Sequence, residues 1–269
     1  MEDTTLETRT IAKEHIDGIG AQYASILNNE KAHTIIDRAL QLYLLNLDTL
    51  SPRVDELIQN VDDNKYADDV TPALSLLYRD RLLRTDCNEA GFTPKQVDAI
   101  SNLGFSTKKN QAESTGEKGV GFKSVFGVAD CVWVASGAYA FKFDSSSPMG
   151  MLTPMWEGPP GGAQPANTSM YLRFLPQVDE KHVFHDLDLV GGKVLTFLRK
   201  RRELRLHIEL QSGGRVFYDV KRQDLISNDG LPMTQLTFTG AKFPTPKRKA
   251  YVVCRYPINS MPEEKKYQY

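Results

Sequence analysis

The sequence predicts an α+β protein in which helices pack on one face of a mixed, mostly antiparallel sheet. Three observations carry this. Apolar residues recur at helical spacing through the first third of the chain. Strand-like runs then follow in pairs joined by short turns, the pattern of hairpins. Helical stretches precede and interrupt those mostly hairpin-connected strands, the arrangement of an α+β protein.

The elements follow in order. Residues 8–47 read as helical, with Leu40, Tyr43, Leu44 and Leu47 on one stripe. Ser51-Pro52 reads as an N-cap with proline at the first helical position, and the helix it opens runs to about Tyr66. Residues 73–78 and 81–85 read as a strand pair turning at Arg79-Asp80, and 94–103 as a short helix after Thr93. The polar stretch 106–118 reads as a mobile loop, and a helix starts near Gly121. Strands are expected at 131–136, 138–143 and 169–175, with 145–167 as loop because of its Ser, Pro and Gly content. A helix at 183–201 precedes strands at 204–210 and 215–220, and 234–239 and 249–256 also read as extended. The division expected is an N-terminal helical segment over 1–50, a main domain over 51–220 and the start of a following segment over 221–269.

Composition narrows the function classes. The 269 residues are 41% hydrophobic and 25% charged, ordinary for a globular protein. The formal net charge of −1 supplies no basic field for nucleic acid. Three widely spaced cysteines (Cys87, Cys131 and Cys254) fit neither a disulfide framework nor a zinc site, which points to a reducing, intracellular compartment, cytoplasmic or nuclear. No run reaches the roughly 18 apolar residues that would suggest a membrane span. The basic run Arg199-Lys200-Arg201-Arg202 reads as a solvated helix end whose cations complement the helix dipole.

Three boxes carry chemistry. In residues 55–64, Val54, Leu57, Ile58 and Val61 form an apolar stripe, while Glu56, Asn60 and Asp63 fall on the opposite face. There a carboxylate can polarise a water and an amide oxygen can hold a hard cation such as Mg²⁺. Taken alone, the same pattern also suits an ordinary surface helix. The second box, residues 86–92, ends a strand. Gly91 permits a tight turn before Phe92, and Asp86 and Asn88 offer polar groups to a base edge. The third box is Gly116-Glu117-Lys118-Gly119-Val120-Gly121-Phe122-Lys123-Ser124, a loop whose backbone amides can approach an anion. It is not a Walker loop, because Phe122 separates Gly121 from Lys123. It is not a dinucleotide fingerprint either, because the third glycine position holds Ser124.

The order and spacing of these boxes resemble the gyrase, heat shock protein 90, histidine kinase and MutL ATPase superfamily, whose nucleotide-binding domain is the Bergerat fold. Glu-Leu-Ile-Gln-Asn-Val-Asp-Asp at 56–63, Asn102-Leu103-Gly104-Phe105-Ser106-Thr107-Lys108, the glycine loop and Asn167-Thr168-Ser169-Met170-Tyr171-Leu172 each resemble a motif of heat shock protein 90. Asn-Glu-x-Gly-Phe, Ser-Thr-Lys and Gly-Glu-Lys-Gly-x-Gly-Phe-Lys-Ser-Val-Phe resemble the sacsin and NO VEIN branch in particular. The resemblance covers residues 50–175.

It implies a two-layer α/β sandwich that binds ATP and Mg²⁺. Glu56 would activate the attacking water and Asn60 would ligate Mg²⁺. Asp63 would lie near the sugar or base, and Lys108 at the nucleotide edge. The amides of Gly119, Val120, Gly121 and Phe122 would hold phosphates within the loop that also carries Lys118 and Lys123. Thr168 would reach the adenine side. Asn88, Gly91, Phe92 and Asn102 complete the expected nucleotide contacts. Cys87 is a departure: the superfamily places there an aspartate that accepts from the adenine amino group, and a thiol is a poor acceptor. The resemblance further implies a lid at 106–118, ATP hydrolysis that drives conformational change, and dimerisation through segments outside the pocket. A nucleotide sensor without turnover and an interaction scaffold are the alternatives.

Overall fold

A computed structural model of the chain describes residues 2–45, 65–102, 122–162, 168–190 and 194–253. The helical start is three helices where the sequence suggests one run: α1 (Glu2–Gln22), α2 (Ala24–Leu27) and α3 (Glu30–Leu45). Asparagine explains one break, since Asn29 Oδ1 accepts from the amide of Ala32 at 3.2 Å near the start of α3.

β1 (Ala73–Arg79) and β2 (Leu82–Cys87) form the expected hairpin. Its turn falls at Asp80 and Arg81, one residue later than predicted, and both take positive φ of 51° and 60°. Two left-handed residues match a type I′ turn, whose twist suits the flanking strands. Arginine is an unusual occupant there. It is held by tertiary contacts, its guanidinium donating to the carbonyls of Leu175 and Val178. α4 (Pro94–Ser101) opens with proline at its first turn, and Gln96 Oε1 accepts from the Thr93 amide at 2.8 Å.

The helix expected near Gly121 is a 3₁₀ helix, Phe122–Gly127. After it come β3 (Ala129–Ser136), β4 (Tyr139–Asp144), the two-residue β5 (Met155–Trp156) and β6 (Thr168–Phe174). α5 (Glu180–Val190) and α6 (Val194–Phe197) replace the single helix expected over 183–201. The chain then runs through β7 (Glu203–Glu209), β8 (Arg215–Ile226), β9 (Pro232–Gly240) and β10 (Phe243–Val252).

The described strands make one ten-stranded mixed sheet in the order β10-β9-β8-β7-β1-β2-β6-β3-β4-β5. β1 and β7 are parallel, and the other neighbours are antiparallel. β8 passes through residue 220 without a break, and β9 and β10 extend the same sheet.

One face carries Leu74, Leu76 and Tyr78 of β1, Leu83 of β2, Val132 and Val134 of β3 and Phe141 and Phe143 of β4. These join Ala12, Ile16 and Ile19 of α1, Leu40 of α3 and Val97 of α4 in one apolar core. Burial of this alternating face is what drives the helices onto the sheet. The opposite face holds a smaller cluster of Cys131, Trp133 and Tyr171. The segment after β5 reaches over it: Trp133 Nε1 donates to Glu157 at 3.1 Å and Tyr171 Oη donates to the carbonyl of Gly162.

α1 is tied to the sheet by polar groups as well. His15 bonds Asp98 of α4 at 2.9 Å through Nε2 and Tyr139 Oη at 3.0 Å through Nδ1. α3 contributes Asp37, whose two carboxylate oxygens accept from the amide of Met149 at 3.0 Å.

Candidate functional site

The end of β2 next to β6 and β3 gathers the described residues of the second box. Registry places Cys87 opposite Thr168 on the helix-facing side of the sheet. The next side chain along that row is Ser136, whose hydroxyl meets Thr168 Oγ1 at 2.5 Å. All three are buried. This short polar row on an otherwise apolar face is the candidate site, and its two hydroxyls partner each other.

The turn that leaves β2 is built against this row. Gly91 has φ of +91°, and a Cβ on it would stand 3.6 Å from both the amide of Gly137 and Ser136 Oγ. The amide of Phe92 donates to Ser136 Oγ at 2.8 Å. Gly91 and Phe92 therefore stand against the end of the row. Asn102 closes the C-terminal end of α4. Its Nδ2 donates to the carbonyl of Asp98 at 2.9 Å, and its Oδ1 accepts from Tyr23 Oη at 2.8 Å.

Asn88 has a different task. Its Oδ1 accepts from the amide of Ala73 at 2.8 Å and its Nδ2 donates to the carbonyl of Thr71 at 2.8 Å, so it staples the entry of β1. Asp86 points to the opposite face, where Arg84 Nε donates to it at 2.8 Å and Ser169 Oγ at 2.6 Å. Neither the Asp86 carboxylate nor the Asn88 amide joins the row beside Cys87.

Cys87 is itself enclosed. Arg201 donates to its Sγ at 3.0 Å, and Tyr66 Oη lies 3.1 Å from it. The guanidinium of Arg201 is 0% exposed, sits 4.9 Å from the Tyr66 ring centroid, and also donates to Tyr66 Oη and the carbonyl of Ala73. Burial pushes the Cys87 thiol up, Arg201 pulls it back, and the charge of Glu89 raises it again. The thiol is held neutral by its surroundings rather than activated.

The basic run is thus corrected. Arg201 is an interior residue, and Arg202 reaches Asp224 at 3.2 Å. The sequence could not separate Arg201 from its neighbours, because four consecutive cations carry no periodicity that marks one as internal. Ser136 and Tyr66 were also unforeseen as members of this cluster.

Phe122 and Lys123 follow the glycine loop. Phe122 packs 5.6 Å from Phe143, ring to ring. Lys123 is turned into the interior: it is 2% exposed, donates to the carbonyl of Met151, and holds its ammonium 4.2 Å from the centre of the Phe143 ring. Burial lowers its pKa well below the ordinary lysine value. Glu56, Asn60, Asp63, Lys108, Lys118, Gly119, Val120 and Gly121 lie outside the described residues. Among the described residues no three His, Cys, Asp or Glu side chains group as a metal site. No described helix is long and apolar enough to cross a membrane.

The fold and this row define an α+β domain with a sheet-end polar site. Comparison with known proteins then gives a more particular likeness. Residues 83–162 match the family model of the Sacsin domain. The chain is 40% identical over 118 residues to Protein NO VEIN of Arabidopsis thaliana, covering 44% of this chain and 4% of that protein. It is 34% identical over 80 residues to human Sacsin, covering 30% of this chain and 2% of that protein. The chain therefore carries a sacsin-like segment that includes β2, the Gly91 turn and the glycine loop, and it spans a small part of the curated relatives it matches.

Proposed function

We propose that this domain binds ATP with Mg²⁺ and hydrolyses it, with a Bergerat-type site set between the sheet end and the helical layer. The observation that carries the reading is that four ordered motifs, from the Glu56 box to Thr168, bracket the polar row Cys87–Thr168–Ser136. The part of the site that is described suits a bound nucleotide. Gly91 brings backbone close to the row without a side chain, and Thr168 presents a hydroxyl there.

In this reading Glu56 takes the proton of the attacking water and Asn60 supplies an oxygen to the metal. The Mg²⁺ ion neutralises phosphate charge. Backbone amides from Gly119 to Phe122 hold the phosphates, as amides at a helix start do. Asp63, Lys108, Lys118 and Thr168 complete the contacts, and the loop 106–118 closes over the bound nucleotide.

A second reading, nucleotide sensing without turnover, is favoured by one observation: Cys87 is engaged by Arg201 and Tyr66 and offers no acceptor to a base. Thermal shift with ATP, ADP and GTP, each with and without Mg²⁺, followed by phosphate release, separates the readings. The ATPase reading expects stabilisation that grows with the logarithm of ligand concentration, loss of binding in Asn60→Ala and Gly121→Val, and loss of turnover but not binding in Glu56→Ala. Binding without turnover selects the sensor. No shift at millimolar nucleotide rejects both.

A further inference from the structure

We propose that the edge strand β10 is a docking site for an extended acidic peptide, which adds to the sheet as an eleventh strand along Lys247–Val252. β10 closes one side of the sheet, and its free edge has no neighbouring strand among the described residues. Such an edge offers a row of backbone donors and acceptors to a strand of another chain.

The two halves of β10 differ. Between Phe243 and Lys247 the register with β9 shifts, and Pro244 and Pro246 fall in that stretch. Proline has no amide hydrogen, so this half cannot carry a regular ladder. From Lys247 opposite Phe238 to Val252 opposite Met233 the register is unbroken and free of proline. A peptide of about six residues would match it at the normal rise per residue.

Charge names the occupant. Elsewhere on the sheet the cations are matched: Arg84, Lys142, Arg173, Arg205, Arg215 and Lys221 each stand against a carboxylate. Lys247, Arg248 and Lys249 are three consecutive cations on the free edge, and none forms an ion pair among the described residues. Lys247 and Arg248 are exposed, and Lys249 rests 5.6 Å from the Phe238 ring. Side chains alternate between faces, so Arg248 projects on one side and Lys247 and Lys249 on the other. A strand bearing carboxylates on both faces answers all three.

A second copy of this edge would set like charges opposite one another, which opposes self-pairing. The same cations discourage adventitious strand addition by neutral segments. A nucleic acid would satisfy the charge but has no use for the backbone ladder.

The test uses the whole 269-residue chain and a fluorescein-labelled decapeptide, Glu-Glu-Val-Val-Glu-Glu-Val-Val-Glu-Glu, which places carboxylates on both faces of a strand. Binding is read by anisotropy at low and physiological salt. A second peptide of the same sequence carries N-methyl groups on the backbone amides of one edge, and a single-stranded oligonucleotide matches it in charge. The expected result is binding of the first peptide, about tenfold weaker binding of the N-methylated peptide, and loss of binding in Lys247→Glu/Arg248→Glu/Lys249→Glu. Hydrogen exchange should slow at 247–252 when the peptide is bound. The proposal is overturned if the acidic peptide does not bind, if N-methylation leaves binding unchanged, if the oligonucleotide binds as tightly as the peptide, or if the charge-reversed protein, folded by thermal melt, binds as before.

Discussion

Replacing Lys123 by methionine should stabilise the protein and change how its stability responds to pH. Lys123 is almost fully buried, and its ammonium meets one carbonyl, that of Met151, and the faces of Phe143 and Phe122 at 4.2 and 5.3 Å. One hydrogen bond and two aromatic faces do not replace the hydration shell of an ammonium, so burial lowers its pKa well below 10.5.

The sign follows from proton counting. In the window between the depressed folded value and 10.5, the unfolded chain holds a proton that the folded chain has shed. Stability therefore rises with pH through that window, by up to about 1.4 kcal/mol per pH unit for one proton. Methionine has nearly the same length and no charge. Lys123→Met should flatten the slope and raise stability at pH 7 by about 1 kcal/mol after the lost hydrogen bond is counted. That corresponds to roughly 2–4 °C in melting temperature for a chain of this size.

Parallel melts of both proteins from pH 6 to 8.5 give the comparison. This range stays below pH 9, above which the thiol of Cys131, pushed up to about 12 from 9.0 by burial, would shed its proton on unfolding and make stability fall with pH. Two curves that run parallel across the window, or a variant less stable than the parent at every pH, would refute the reasoning.

Two stability predictions complete the set. Arg201→Met leaves the carbonyl of Ala73, Tyr66 Oη and Cys87 Sγ without their buried donor and should cost about 3 kcal/mol, read as a lower urea midpoint with unchanged slope; Arg201→Lys should recover only part of it, because an ammonium cannot reproduce the planar fork. Gly150→Ala should cost about 3 kcal/mol or more, since a Cβ there would stand 1.7 Å from the carbonyl oxygen of Asp144 and the backbone must move; a melting temperature within error of the parent would show that the turn relaxes freely.

The glycine loop and Lys123 show where local reading and three-dimensional placement part. Lysine beside a glycine loop reads as a phosphate contact, because adjacency in sequence suggests adjacency in function. The chain instead turns at the 3₁₀ helix and sends Lys123 into the aromatic core formed by β4, a partner that lies 20 residues away in sequence. Arg201 shows the same limit from the other side. Its burial depends on how the segment before β7 meets the ends of β1 and β2, and no local pattern records that.

By itself, the sequence determined the α+β class, most strands, the α4 start at Thr93-Pro94 and the Gly91 turn, because each rests on contacts between near neighbours or on alternation along one strand. Only the tertiary structure decided that His15 joins α1 to β4 and Asp37 joins α3 to the turn after β4, and that Asn88 serves the β1 entry. It alone set Arg201 and Tyr66 around Cys87. Those arrangements are pairings across the β1–β7 crossover and the helix–sheet interface. They depend on which surfaces meet after folding, and the residue types that make them are as common on exposed faces as in sites.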